Sequence, residues 1–163
     1  PGLGHRRISL LAQSARRLPE AGHPESVFLK ELESHGILTS SYHLPEWDDS
    51  TEGFHQALDT LFKTTAPTAL ILDEASLLIA AQQFLQSRGL RVPQDVSLIC
   101  TDSDPYFSWC RPSIAHIHWN KAPVVRRVTG WAANISRGKK DIKQKLTPAK
   151  FVAGGTIGPV ARN

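Results

Sequence analysis

Short apolar runs alternate with amphipathic helix patterns along this chain, and no other feature constrains its fold as strongly. The apolar runs carry little polar alternation, which is typical of strands that a parallel sheet buries on both faces. The predicted strands are residues 8–12, 40–44 (weaker), 69–72, 96–100, 114–119 and a short final stretch at 151–152. A helix pattern follows most of them.

The helix patterns have recognisable starts and ends. Pro24 suits the first turn of a helix that Gly36 ends, and residues 54–62 carry apolar side chains at i, i+3, i+4, i+7 and i+8. Two further helices are predicted over about residues 74–88 and 122–137. This order predicts an α/β fold, in which a three-layer open parallel sheet of the Rossmann or flavodoxin type has helices on both faces and right-handed crossovers.

The composition is that of one globular domain, with 163 residues of which 40% are hydrophobic and 21% charged. No apolar run reaches the ~20 residues that a membrane span needs, and the first run is too short for a secretion signal. The two cysteines, Cys100 and Cys110, cannot form a disulfide framework, and Cys100 is interpreted as a buried thiol because it ends an apolar run. We therefore expect a cytoplasmic protein without membrane contact. The lack of any Met indicates a fragment of a longer chain.

Two local clusters carry side chains that bind ions in other proteins. Lysines cluster between residues 139 and 145 in a chain of net charge +4, and a solvated loop is favoured over a phosphate-binding patch. His116 and His118 share one face of a predicted strand, with Cys110 nearby. Because the spacing to this third ligand is arbitrary, both histidines are interpreted as ordinary strand residues and no metal site is predicted.

The chain shows no catalytic or cofactor motif. The loop at residues 13–23 contains neither the G-x-G-x-x-G of dinucleotide binding nor the G-K-[ST] of a phosphate-binding loop, and the chain has no G-x-S-x-G. A phosphoacceptor receiver domain is disfavoured, because the strand at residues 8–12 does not end in an acidic pair. We therefore predict neither an enzyme nor a bound cofactor.

Carboxylates follow two of the predicted strands at the point where each strand ends. Asp73 and Glu74 come after one apolar run, and Asp102 comes after the next. Ligands of open parallel sheets bind beyond these strand ends, and a carboxylate there can accept hydrogen bonds from the hydroxyls of a sugar-like ligand. The alternative is that each Asp caps the helix or turn that follows. The pattern favours the cap for Asp73 and leaves both interpretations open for Asp102.

Several segments are similar to the LacI/GalR family of bacterial transcription regulators, whose sensor domain folds like a periplasmic sugar-binding protein. Residues 4–8 (GHRRI) resemble the family's G-H-[RK]-x-I, and residues 67–69 (PTA) resemble its P-T-A. Residues 88–97 (RGLRVPQDVS) resemble R-G-[LI]-x-[VI]-P-[EQ]-D-[VI]-S almost letter for letter. Asp102 falls on the first Asp of the family's G-[FY]-D-[DN], and residues 111–114 are similar to the turn that precedes the family's return to its first lobe.

The resemblance implies a fold and a division of the chain. Residues 1–117 would form the C-terminal lobe of the sensor, and residues 118–163 would be the segment that returns to an N-terminal lobe this chain does not contain. A DNA-binding helix-turn-helix module, also absent from the chain, would contact DNA. The helix at 122–137 would lack its usual cover, which favours a homodimer.

The resemblance also implies a small-molecule effector, but its usual contacts are altered. The family's sugar-binding Arg falls on Pro24, and its Asn-Asp pair after the third strand reads Glu74-Ala75. The predicted effector-binding residues are Asp102, Asp73, Glu74, Trp119 and Arg16, where Arg16 or its neighbour would supply the missing guanidinium. The expected function is effector sensing in a transcription regulator, and the alternative is a solute-binding protein of a sugar transport system.

Overall fold

The computed structural model describes residues 2–13 and 22–160, and within them the chain forms five strands, four α-helices and a short 3₁₀ helix. The strands are β1 (Ile8–Leu11), β2 (Ala69–Leu72), β3 (Ser97–Cys100), β4 (Ala115–Trp119) and β5 (Ala149–Val152). The helices are α1 (His23–Ser34), α2 (Thr51–Thr64), α3 (Ala75–Ser87) and α4 (Lys121–Ser136), and the 3₁₀ helix is Pro105–Trp109. In this part of the chain, no helix is both long and apolar enough to cross a membrane.

The strands form one sheet in the order β1-β2-β3-β4-β5. Strands β1 to β4 are parallel, which confirms the predicted side-by-side arrangement of the runs near 8–12, 69–72 and 96–100. The last strand differs from the parallel pattern, because β5 pairs with β4 in the antiparallel direction. Helix α4 does not carry the chain back across the sheet, so the chain returns directly alongside β4.

Helices cover both faces of the sheet, as predicted. Side chains alternate along the strands, so that Leu70 and Leu98 pack with α2 and α3, whereas Ala69 packs with α1. The larger cluster consists of the buried residues Leu11, Phe54, Leu58, Leu61, Leu70, Leu72, Leu78, Ala81, Phe84, Leu85, Val96, Leu98, Cys100, Phe107 and Ile114. The smaller one brings Leu32 of α1 together with Ile8 at the start of β1.

The predicted weak strand at residues 40–44 is wrong, since this segment forms a turn. The backbone N–H of His43 donates to the carbonyl of Ser40 at 3.0 Å, and the N–H of Ser40 donates to Nδ1 of His43 at 3.2 Å. Such local bonds compete with a regular strand ladder. The turn still borders the sheet, because the N–H of Leu10 donates to the carbonyl of His43 at 2.8 Å.

The family-like motifs meet in the structure at His5, which is 7% exposed. Its Nδ1 is hydrogen-bonded to Oγ1 of Thr68 at 2.9 Å, and its Nε2 is hydrogen-bonded to the carbonyl of Gly158 at 2.8 Å. The hydroxyl of Ser97 lies 3.3 Å from the same Nε2. These motifs therefore join the starts of β1, β2 and β3, at the opposite end of the sheet from the predicted ligand site.

A glycine-threonine segment that the sequence did not point to closes the gap between β3 and β4. Thr156 is fully buried, its hydroxyl donates to the carbonyl of Leu98 at 2.8 Å, and it accepts from the N–H of Ala115 at 2.9 Å. Gly154 lies so close to β4 that a Cβ there would meet the backbone nitrogen of Ala115 at 2.3 Å. This segment satisfies backbone groups that no neighbouring strand reaches.

We expect the two thiols to differ strongly in reactivity. Cys100 is fully buried, and burial raises its pKa to about 11, whereas Cys110 is only half-buried. A thiol reagent at neutral pH should therefore titrate one thiol of the folded chain quickly and the second only in denaturant, because the thiolate is the reactive form. Cys110→Ser should abolish the fast reaction. Equal rates for both thiols would contradict the buried position of Cys100.

Candidate functional site

The ends of β1, β2 and β3 lie level with one another, because Leu11, Leu72 and Cys100 are partners in the strand register. The ladder continues one step beyond the strands, where the N–H of Thr101 donates to the carbonyl of Leu72 at 2.8 Å. The residues that follow the three strands therefore meet along one edge of the sheet. This is the edge at which open parallel sheets bind ligands.

A cavity of about 260 Å³ lies at this edge, between the strand ends and the first turn of α1. Its described lining consists of Leu10, Ala12, Gly22, Pro24, Glu25, Phe28, Ile71, Asp73 and Thr101. A larger groove of about 580 Å³ lies elsewhere, between residues 41–48 and the side of α2. We take the smaller cavity as the candidate site, because it alone of the two collects strand ends and a helix N-terminus, and it encloses buried carboxylates.

Asp73 is one of these carboxylates and is 8% exposed. Its Oδ2 accepts from the backbone N–H of Gln13 at 3.0 Å, and the side-chain amide of Gln13 donates to Oε2 of Glu74 at 3.2 Å. The prediction that Asp73 caps the following helix is wrong, since Glu74 occupies the N-cap of α3 and makes no side-chain cap bond in the described structure. Asp73 instead fastens the chain that leaves β1 to the end of β2.

Glu25 is the second carboxylate, and sequence reasoning missed it. It lies in the first turn of α1, is 5% exposed, and its Oε2 has no hydrogen-bond partner among the described residues. An acidic residue in a first helical turn is usually explained by the helix dipole alone. The signal that could have found it was its position next to Pro24, where the resemblance had placed a ligand-binding Arg.

Asp102 has a different environment from Asp73. It is half-buried, and its Oδ1 accepts from the N–H of Ser103 at 2.7 Å. The neighbouring Asp104, not Asp102, caps the 3₁₀ helix by accepting from the N–H of Tyr106 at 2.8 Å. The described lining of the cavity includes Thr101 but not Asp102. Asp102 thus lies one residue beyond the cavity and holds a turn with one of its two oxygens.

The other predicted site residues do not join the cavity. Glu74 is not among its described lining, and Trp119 lies at the end of β4 with the Lys121 ammonium 5.5 Å from its ring centre. Arg16 lies outside the described residues. The structure therefore brings Asp73 together with Glu25, which was not predicted, and leaves the roles of Asp102, Glu74 and Trp119 as predictions.

His116 and His118 share a face of β4, with ring centres 6.3 Å apart. Nδ1 of His116 donates to the carbonyl of Ile114 at 2.9 Å, and Nδ1 of His118 is hydrogen-bonded to Oγ of Ser103 at 3.0 Å. Within the described ranges, no three His, Cys, Asp or Glu side chains are grouped as metal ligands would be. Both imidazoles thus have protein partners, and the absence of a bound metal stays a prediction.

Helix α4, which the structure describes completely, contains no buried residue. Val128, Trp131 and Ile135 form an apolar stripe on it, and each is 45% to 55% exposed. On another side of the helix, Arg127 forms two hydrogen bonds with the Asp141 carboxylate, at 3.0 and 2.6 Å. The hydrogen bond from Asn134, together with Arg127, lowers the pKa of Asp141.

The lysine cluster lies in the loop that this ion pair holds against α4. Its four lysines are exposed, as expected for a solvated loop. Two of them, Lys143 and Lys145, nevertheless line a shallow groove together with Arg126 and Arg127. The structure thus agrees with the solvated loop and does not decide against the phosphate-binding alternative.

Comparison with known proteins places this geometry in a family context. The family model of the periplasmic binding protein-like domain matches residues 2–157. The chain is 26% identical over 119 residues to the HTH-type transcriptional repressor PurR of Glaesserella parasuis, covering 72% of this chain and 35% of that protein. It is 24% identical over 159 residues to the HTH-type transcriptional regulator DegA of Bacillus subtilis, covering 97% of this chain and 47% of that protein. The chain thus spans less than half the length of these curated relatives.

Solved structures show the same fold. A LacI family transcriptional regulator from Enterococcus faecium with bound ribose superposes with a TM-score of 0.79 at 21% identity, covering 98% of this chain and 60% of that chain. A sugar-binding transcriptional regulator of the LacI family from Escherichia coli, complexed with phosphate, gives a TM-score of 0.75 at 19% identity, covering 97% and 57%. These likenesses extend over the α/β sheet and over the segment from β4 to β5.

Proposed function

Because this chain belongs to the family of periplasmic binding protein-like domains, we propose that it is the effector-sensing part of a LacI/GalR-type transcription regulator. The sequence resemblance to that family is confirmed by the matching domain model and by the regulators among its relatives. The observation that carries the functional proposal is the cavity at the ends of β1, β2 and β3. It provides an enclosed site for a small effector in a fold that repressors share.

The proposed mechanism couples this site to a distant DNA-binding module. Residues 1–117 form the C-terminal lobe, and residues 118–163 pack with the first lobe of the complete sensor. An effector held at the strand ends favours the closed arrangement of the two lobes, and the difference in closure changes the affinity for DNA. DNA is contacted through the separate module, and the protein acts in the cytoplasm as a regulator without enzymatic activity.

The exposed stripe of α4 supports this division of the chain. Soluble domains rarely leave an apolar helix face open, so Val128, Trp131 and Ile135 are expected to be covered in the complete protein. The first lobe covers part of this surface, and a second copy of the chain covers the rest in a homodimer. The proposed partners are therefore a small-molecule effector, a second subunit and DNA.

We expect the isolated chain to self-associate through this stripe. Sedimentation at micromolar concentration should show a species heavier than a monomer, and Trp131→Glu should shift it to monomer because a charge would be buried in the contact. Ile142→Glu is the matched control, since Ile142 is 78% exposed in the loop after α4. A wild-type chain that stays monomeric at high micromolar concentration contradicts this expectation.

The alternative function is a solute-binding protein of a sugar transport system, because such proteins share the fold. The repressors among the relatives favour the regulator. The complete reading frame that contains this chain separates the two proposals. A helix-turn-helix or winged-helix module before the sensor supports the regulator, whereas a secretion signal followed directly by the first lobe supports the transport protein.

A further inference from the structure

We propose that the cavity at the ends of β1, β2 and β3 binds a small aliphatic amine, whose ammonium group pairs with Glu25. This inference rests on the proposed function, in which the cavity is the effector site, and it replaces the sugar-like ligand that the sequence suggested. The proposal starts from one contact that the protein leaves unmade: Oε2 of Glu25 is buried, lines the cavity and has no hydrogen-bond partner in the described structure.

The usual structural role of such a glutamate does not account for Glu25. It is the third residue of α1, where a carboxylate can reach back to the N–H of the N-cap residue. The N-cap here is Gly22, and in the described residues Glu25 makes no hydrogen bond to it. A buried carboxylate oxygen without a donor is costly, so a ligand that donates a hydrogen bond there gains affinity.

The charge of the lining selects the class of ligand. Glu25 and Asp73 are the ionisable residues among the described lining, which includes no Lys, Arg or His. At the position where the resemblance places a sugar-binding Arg, this chain has Pro24, which has no side-chain donor. An ammonium group offers three donors and a positive charge, which match carboxylate acceptors. A neutral sugar would supply hydroxyl donors but no compensating charge.

The shape of the cavity narrows the class further. Its volume of about 260 Å³ lies just below the usual range of ligand pockets, roughly 300–1,000 Å³, so the ligand is small. Most of the remaining wall is apolar, with Leu10, Phe28 and Ile71 as the largest contributors. Such a wall suits a short methylene chain better than the hydroxyl-covered ring of a sugar. A short alkyl chain that ends in an ammonium group fits both the wall and the carboxylates.

Calorimetry on the full-length protein with 1,4-diaminobutane and its neutral analogue 1,4-butanediol tests the inference without any variant. The two probes have the same length, and they differ in charge and in the number of donors. We expect the diamine to bind at least about tenfold more tightly, as charge-assisted hydrogen bonds in desolvated sites typically contribute. Equal affinities, or no binding of the diamine, overturn the proposal.

Substitution of the carboxylate tests the assignment to Glu25. Glu25→Gln keeps the side-chain size and removes the charge, so it should weaken diamine binding at least about tenfold. Glu33→Gln, on the exposed side of the same helix, is the matched control and should leave the affinity unchanged. An unchanged affinity of Glu25→Gln overturns the assignment. If Glu25→Gln does not fold, the comparison of diamine with diol on the wild type decides alone.

The outcome for the amine is separable from the outcome for the proposed function. If ribose or another sugar binds and changes DNA affinity while the diamine does not bind, the amine inference fails and the regulator proposal stands. If the diamine binds through Glu25 and the full-length protein does not bind DNA, the regulator proposal fails and the assignment of the amine site stands.

Discussion

Thr156→Val should lower the free energy of unfolding by about 2–5 kcal/mol, since it leaves two buried backbone groups without partners at roughly 1–3 kcal/mol each. The groups are the N–H of Ala115 and the carbonyl of Leu98, which the Thr156 hydroxyl joins at 2.9 and 2.8 Å. Valine has nearly the same volume as threonine, so a new cavity does not contribute. A loss of this size is a large fraction of the ~5–15 kcal/mol that stabilises a typical domain.

Urea denaturation of the variant and the wild type measures this difference directly. Thr129→Val is the matched control, because the Thr129 hydroxyl bonds to the Val125 carbonyl on the exposed side of α4. Its effect should stay within about 0.5 kcal/mol. Gly154→Ala should destabilise in the same direction as Thr156→Val, since its Cβ would meet the backbone of β4. A Thr156→Val variant as stable as the control would contradict this account of the segment.

Asp102→Ala should weaken effector binding by roughly tenfold to over a hundredfold, which corresponds to about 1.5–3 kcal/mol for a charged acceptor in a desolvated site. Asp102 stands one residue beyond the cavity's Thr101, and one of its oxygens holds the N–H of Ser103. In the complete sensor the first lobe closes over this edge, and we expect the carboxylate to contact the effector there.

Calorimetry on the full-length protein, with the effector identified for it, measures this loss. Asp104→Ala is the control, because Asp104 caps the 3₁₀ helix through Tyr106 and should affect local stability more than affinity. Equal effector affinities of wild type and Asp102→Ala would reduce Asp102 to a residue that holds a turn. The effector contacts would then lie with Glu25 and Asp73.

The strands and helices were predictable because each is coded by a local pattern. Uninterrupted apolar runs give buried parallel strands, and the repeat at residues 54–62 gives the buried face of α2. The turn at residues 40–44 was mispredicted because Ser40 and His43 satisfy each other's backbone and ring groups. The direction of β5 depends on where α4 lies, and a helix with no buried residue in the described structure gives no local signal for that.

The candidate site was predictable in position but not in composition. The strand ends identified the edge of the sheet and Asp73, because that inference needs only the order of strands and loops. Glu25 and Thr156 were not found, since their importance depends on burial and on partners more than 40 residues away or absent. A Glu in a first helical turn and a Thr in a glycine-rich segment have ordinary explanations in sequence, and only the three-dimensional surroundings distinguish them.

The central claim is that this chain senses an effector and controls DNA binding. Fluorescence anisotropy of the full-length protein on the DNA site that it selects, with and without saturating effector, tests this most directly. We predict specific binding whose affinity changes by about 5–150-fold on effector addition, the usual range of allosteric coupling, and loss of that change in the Asp102→Ala variant. A full-length protein that binds its effector but shows no specific DNA binding, or an affinity for DNA that saturating effector leaves unchanged, would contradict the claim.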